Sequence, residues 1–147
     1  MLFPTKVLED FAKRVFLAAG SDEREAKIVA DHLVDSAVSG HDSHGVIRIL
    51  AYITAIKKKE LIPNQHPTVR VETDSMLVLE GNHGYGQVVA KEATEKAIAK
   101  AKKAGIAMVT MRNAGHIGRL GAWAEMAAAE TRRRSVSSMR RGPAARN

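Results

Sequence analysis

No cysteine occurs in this 147-residue chain, so a disulfide framework and a thiolate metal site are both excluded. No apolar run approaches the roughly 20 residues that a membrane-spanning helix needs. The N-terminus, MLFPTKVLEDF, lacks the basic stretch followed by an apolar one that marks a secretory leader. A soluble, cytoplasmic protein is expected. There is no H-E-x-x-H pattern and no internal repeat. His41 and His44 lie three apart, but with neither cysteine nor that pattern no metal site is expected. Acids are missing from one place in particular: Thr131 to Asn147 holds six arginines and no acid.

That gap explains the charge. The formal net charge is +7, yet removing those six from the 23 basic residues leaves 17 against 16 acids. A nucleic-acid-binding domain carries its basic stripe on the folded body, and here the body is close to neutral. Nucleic acid is therefore not an expected partner. The second reading is a small non-catalytic binding domain whose Arg-rich tail contacts nucleic acid or another polyanion.

At 45% apolar residues the chain can bury the core of one ordinary domain. Residues 5–19 place Val7, Leu8, Phe11, Val15 and Ala18 on one helical face, with Gly20 as the stop. Ser21 reads as the N-cap of a second helix, with Asp22, Glu23 and Glu25 in its first turn, where they favour the positive end of the dipole. That helix buries Ala26, Val29, Leu33 and Ala37. A third is expected from Asp42 or Ser43 to the Lys57–Lys59 run, burying Val46, Ile49, Leu50 and Ile53.

After Pro63 the period changes to two. Thr68–Glu72 and Met76–Glu80 read as strands joined by Thr73-Asp74-Ser75. The loop Gly81–Gly86 leads into a helix over 87–104, closed by Gly105. Ile106–Met111 reads as a strand apolar on both faces, and Asn113–Gly121 as a second glycine loop opening a short helix to Glu130. The fold class is α/β: a helical N-terminal segment followed by a βαβ-type mixed-sheet domain. The expected divisions are 1–62, helical; 63–130, an α/β portion; and 131–147, a disordered basic tail.

Two constellations could carry chemistry. His44, Arg48 and Tyr52 are spaced i, i+4, i+8, which on a helix puts them along one side. An imidazole that titrates near neutrality, a guanidinium fork and a phenol suit a small carboxylate substrate. The same spacing also suits an ordinary solvated helix face. The second is Asn113-Ala114-Gly115-His116-Ile117-Gly118-Arg119-Leu120-Gly121, placed where open α/β sheets bind ligands. Its glycines do not follow G-x-G-x-x-G, and they could equally serve turn geometry alone. His83 reads as a loop residue, and His32 and His66 carry no signal.

Three strings, DSHGVIRILAY (42–52), GNHGYGQVVA (81–90) and RNAGHIGRLGAWAEMAA (112–128), occur together and in order. On them the chain resembles the malate/L-lactate dehydrogenase family, which also holds ureidoglycolate, sulfolactate and diketogulonate dehydrogenases and Δ1-piperideine-2-carboxylate reductase. The resemblance implies hydride transfer between NAD or NADP and C2 of a small 2-oxo acid. It implies His44 as the proton carrier and Arg48 as the carboxylate clamp, with Ser43 and Tyr52 beside it. His116 would line the active site, with Gly118 and Gly121 at the cofactor side of the loop. It also implies a homodimer with the site at a subunit junction. Family members are more than twice as long, and TRRRSVSSMRR stands where they continue. The resemblance further implies a non-Rossmann fold, here truncated, with the substrate-site helix in 1–62 and only an incomplete α/β portion in 63–130. The chain thus reads as an N-terminal part, ended by a frameshift or a misplaced gene end and expected to be inactive by itself.

Overall fold

The computed structural model describes the backbone over residues 3–139 and the side chains over 3–130. In order come helices α1 (Thr5–Ala18), α2 (Glu23–Val38) and α3 (Ile49–Lys57), strands β1 (Thr68–Glu72) and β2 (Met76–Glu80), helix α4 (Gly86–Ala104), strand β3 (Met108–Arg112) and helix α5 (Leu120–Met139). Two single 3₁₀ turns, Asp42–His44 and Val46–Arg48, lie between α2 and α3. This is the expected α/β order.

Three aromatic rings hold the centre of the helical part. Phe16 meets Tyr85 edge-on at 5.6 Å and Tyr52 at 6.3 Å, and Tyr52 meets Tyr85 at 6.0 Å. These rings come from α1, α3 and the loop before α4. Ala26, Val29, Ala30 and Leu33 of α2, with Ile49, Leu61 and Val88, complete the cluster. Each such aromatic pair adds about 0.5–1.5 kcal/mol beyond area burial. Burial pushes the Tyr85 phenol up to about 12, so it stays neutral.

Several local expectations are corrected. On α1 the buried positions are Ala12 and Phe16, whereas Val7 and Phe11 are about half exposed, at 53% and 51%. The buried stripe is displaced by one position because Phe16 docks under the tyrosines. The N-cap of α2 is Asp22, whose carboxylate accepts from the Glu25 N–H at 2.7 Å. Ser21 is buried instead. The freed Glu25 side chain takes the Asn64 N–H on both oxygens at 2.9 Å, pinning a turn where Asn64 has φ 62°. Leu50, expected inside, is 78% exposed, while Tyr52 is buried. The cause is Gly45, whose ψ of −153° breaks the third helix and resets its phase. A side chain at Gly45 would lie 2.9 Å from the Ala37 Cβ, so the break is also where this segment presses on α2. Finally, α5 does not stop at Glu130 but runs on to Met139. No glycine or proline interrupts 122–141, and Ala, Glu, Met and Arg are strong helix formers. The remainder of the expected tail, 140–147, lies outside the described residues.

The sheet is three-stranded in the order β1-β2-β3. β1 pairs antiparallel with β2, with an irregularity between Val69 and Val71. β2 pairs parallel with β3, Leu77 opposite Val109 and Leu79 opposite Met111, so α4 is the crossover of a βαβ unit. Leu77, Leu79 and Ala93 form a second small core with Val109 and Met111 against it. The other face has no cover among the described residues: β1 is exposed throughout, and Met76 and Met108 are 43% and 57% exposed. The strand expected to be buried on both faces is thus covered on one.

An exposed apolar face beside a free strand edge favours association. Light scattering at rising concentration should therefore show self-association of this chain, and Met108→Lys should suppress it. A monomer at all concentrations would contradict this reading of the open face.

Candidate active site

Two glycine-rich loops, 81–86 before α4 and 113–119 after β3, are closed upon each other. The Gly81 N–H donates to the Arg112 carbonyl at 2.8 Å, His83 N–H to the Asn113 carbonyl at 2.7 Å, and Gly115 N–H to the Gly84 carbonyl at 2.9 Å. A side chain at Gly86 would run into the Gly115 and His116 carbonyl groups, so glycine alone lets α4 begin directly beneath the 115–116 peptide. This contact delivers His116 to the helical part of the molecule.

There His116 meets the other candidates. Its Nδ1 lies 2.9 Å from the Tyr52 hydroxyl, and its ring centroid lies 5.2 Å from that of His44. Ser43 Oγ is 2.9 Å from His44 Nδ1. Arg48 Nε donates to the Ser43 carbonyl at 2.7 Å. That bond orients the guanidinium, and among the described residues Arg48 forms no ion pair. Its two terminal nitrogens remain available as a fork for a carboxylate. His44, Arg48 and Tyr52 therefore share a site, but not along one helix: they sit on the first 3₁₀ turn, the second, and α3. Tyr52 belongs to the core by its ring and to the site by its hydroxyl.

Sequence reasoning missed three supporting residues. Gln87, fully buried on the first turn of α4, donates through Nε2 to the Tyr52 oxygen at 2.6 Å. His32, on the buried face of α2, accepts the Arg119 N–H on Nε2 at 2.9 Å and stacks on Trp123 at 4.9 Å. Arg119 binds both oxygens of Glu125 at 2.7 and 2.8 Å and Asp35 at 2.9 Å. These bonds tie the 113–119 loop to α2. The signal for His32 was present, since it falls in register with Val29, Leu33 and Ser36. Gln87 was marked only by being polar beside an apolar Val-Val-Ala run. Gly118, with φ 76°, faces His32 so closely that any side chain would collide with the imidazole. A Cβ at Gly121 would lie 2.7 Å from Arg119 Nη1. The close approach at both glycines is to the protein's own side chains.

The charge state follows from burial. Desolvation, then Arg48 and His44, hold His116 below the ordinary imidazole value of 6.5. Desolvation also lowers His32, against the opposing pull of Asp35. Tyr52 is raised by burial, partly offset by the Gln87 bond, so it remains a phenol and can donate. A neutral His116 imidazole, a neutral Tyr52 phenol and an Arg48 guanidinium without an ion pair among the described residues line one polar space, a class of arrangement suited to holding a small carboxylate.

The comparisons narrow that class. The model of the malate/L-lactate dehydrogenase family matches residues 3–131. Hydroxycarboxylate dehydrogenase B of Escherichia coli (strain K12) is 42% identical over 127 residues, which is 86% of this chain and 35% of that protein. The malate dehydrogenase of Pyrococcus abyssi (strain GE5 / Orsay) is 41% identical over 129 residues, with the same two coverages, 86% and 35%. The solved sulfolactate dehydrogenase of Methanocaldococcus jannaschii superposes with a TM-score of 0.85 at 37% identity, covering 88% of this chain and 38% of that one. The chain belongs to the malate/L-lactate dehydrogenase family and spans about a third of the length of these curated relatives.

The lowered histidines make stability depend on pH. The folded state disfavours their protonated forms, so their contribution is complete above pH 6.5 and is lost as pH falls below that toward the folded values. The urea midpoint should drop between about pH 7.5 and about pH 5.5. Burial raises the Glu25 carboxyl, which works in the opposite direction, so the comparison that isolates the imidazole is His32→Gln, which should flatten the slope. An equal slope in that variant would mean His32 is not held neutral.

Proposed function

We propose that this chain carries the substrate-binding part of a dehydrogenase that interconverts a small 2-hydroxy acid and its 2-oxo form, with NAD or NADP as the hydride carrier. The observation that supports this best is the meeting of His44, Arg48 and His116 from three separate segments around one polar space. Arg48 grips the substrate carboxylate with its two terminal nitrogens. His44, steadied by Ser43, takes the hydroxyl proton on oxidation and returns it on reduction. His116 faces the same oxygen from the other side. In such a reaction the nicotinamide carries the hydride.

The described residues supply groups for the acid. The two glycine loops are bonded to each other through Gly81, His83 and Gly115, and the second is tied to α2 through the Arg119 N–H. Gly118 and Gly121 then act by shaping the loop that bears His116 and Arg119. The proposal includes a homodimer: Ile47 and Leu50, 71% and 78% exposed, flank Arg48 and are surface that a second subunit would cover.

Hydride transfer needs the nicotinamide fixed against C2, and such positioning supplies several kcal/mol of the barrier. The 147-residue chain alone is therefore expected to show no turnover. Fused to the remaining portion of the E. coli relative, it should reduce a small 2-oxo acid, followed by nicotinamide absorbance. In that fusion His44→Ala should lower kcat by about 10²–10⁴-fold. Arg48→Lys should mainly raise KM, because a point charge lacks the two-pronged grip. Unimpaired turnover in the His44→Ala fusion, or robust turnover by the chain alone, would refute these roles.

A further inference from the structure

Gln87, Tyr52 and His116 form a line of hydrogen bonds running from the interior to the site, 2.6 Å and then 2.9 Å long. Its direction is set at the buried end. The Gln87 amide nitrogen faces the Tyr52 oxygen, while Gln87 Oε1 is buried without a partner. Turning the amide over would leave both N–H donors unpartnered in place of one N–H and one carbonyl oxygen, and orphaned donors are the rarer and costlier case. The Tyr52 oxygen thus receives the Gln87 proton, and its own hydroxyl proton points at His116 Nδ1. A nitrogen that accepts a hydrogen bond carries no proton in the neutral ring, so the proton sits on Nε2, on the far side of the ring from Tyr52.

We propose that Gln87 and Tyr52 are positioning residues that lock His116 as the neutral Nε2–H tautomer, making it a fixed hydrogen-bond donor to the substrate oxygen rather than a second proton carrier. The two imidazoles then divide the work: His44 moves the proton, and His116 holds the oxygen on which the proton is exchanged. A second free base within 5.2 Å of the first could compete for that proton, and the relay removes it from competition. To protonate Nδ1, Tyr52 would have to turn its hydroxyl proton away from His116, on an oxygen that already accepts from Gln87, so the line also resists formation of the imidazolium. The titratable and charged groups facing His116 are His44 and Arg48 on the 3₁₀ turns, Tyr52 on α3 and His32 on α2. The first two disfavour its charged form in the same sense.

The functional half of this inference rests on the dehydrogenase reading, whereas the tautomer is measurable in the chain with no substrate or cofactor. Long-range proton–nitrogen NMR of the 147-residue chain at neutral pH should show His116 with an unprotonated Nδ1 and a protonated Nε2. Gln87→Met keeps the side chain's length but removes the donor, freeing the Tyr52 hydroxyl to turn. The His116 titration should then rise toward the ordinary value of about 6.5, although residue 87 is fully buried and bonds to Tyr52 and not to the ring. Tyr52→Phe should move it the same way. A purely space-filling role for Gln87 would leave the titration where it was, and that result would overturn the relay. A protonated Nδ1 in the unaltered chain would overturn the tautomer itself, and that measurement decides even if neither variant folds. A correct tautomer in a fusion enzyme that reduces no 2-oxo acid would instead fault the dehydrogenase reading and leave the relay standing.

Discussion

The contact of Gly86 beneath the 115–116 peptide is the constraint on which the rest of this site depends. The helical segment and the sheet portion each have their own apolar core, and neither core by itself would bring an imidazole from the sheet side to a phenol on α3. The two glycine loops, bonded strand-like through Gly81, His83 and Gly115, supply that junction. Because the spacing there admits no side chain, the position of His116 is set by backbone against backbone, which is stiffer than packing between rotamers. Arg119, His32 and Trp123 then fix the outgoing end of the loop on α2.

Much of the architecture was legible because it follows from period and punctuation. β1 and β2 appear at the expected residues, and α4 begins one residue earlier than anticipated. What escaped was where long-range packing decides. Phe16 chose the buried face of α1 because two tyrosines far along the chain wait for it. Gly45 looked like one residue of a helix and proved to be its interruption, a conformation settled by the contact with Ala37 and not by propensity. The extension of α5 through the arginines was a matter of helix propensity, outweighed in the sequence reading by the absence of an apolar period.

The candidate site was nominated in a different way. Chemistry alone could nominate His44, Arg48, Tyr52 and His116, since few combinations of side chains serve a small acid. It could not show that Tyr52 stands with its ring in the core, because i, i+4, i+8 spacing assumes an unbroken helix. Nor could it show Gln87, whose role is invisible until the fold places it 2.6 Å from a phenol 35 positions away. Supporting polar residues inside a core leave no periodic trace, being single exceptions in apolar faces.

Tyr52 has a consequence of its own. The same ring that packs against Phe16 and Tyr85 bears the hydroxyl bonded to His116, so on the proposed roles the mechanical state of the interior reaches the site without any moving part. A core substitution that merely loosens the three rings should broaden the range of imidazole orientations before it lowers the melting point noticeably. Selection on turnover would then police the interior more strictly than selection on folding does. On those roles, a change in how these three rings pack would also be a change at His116.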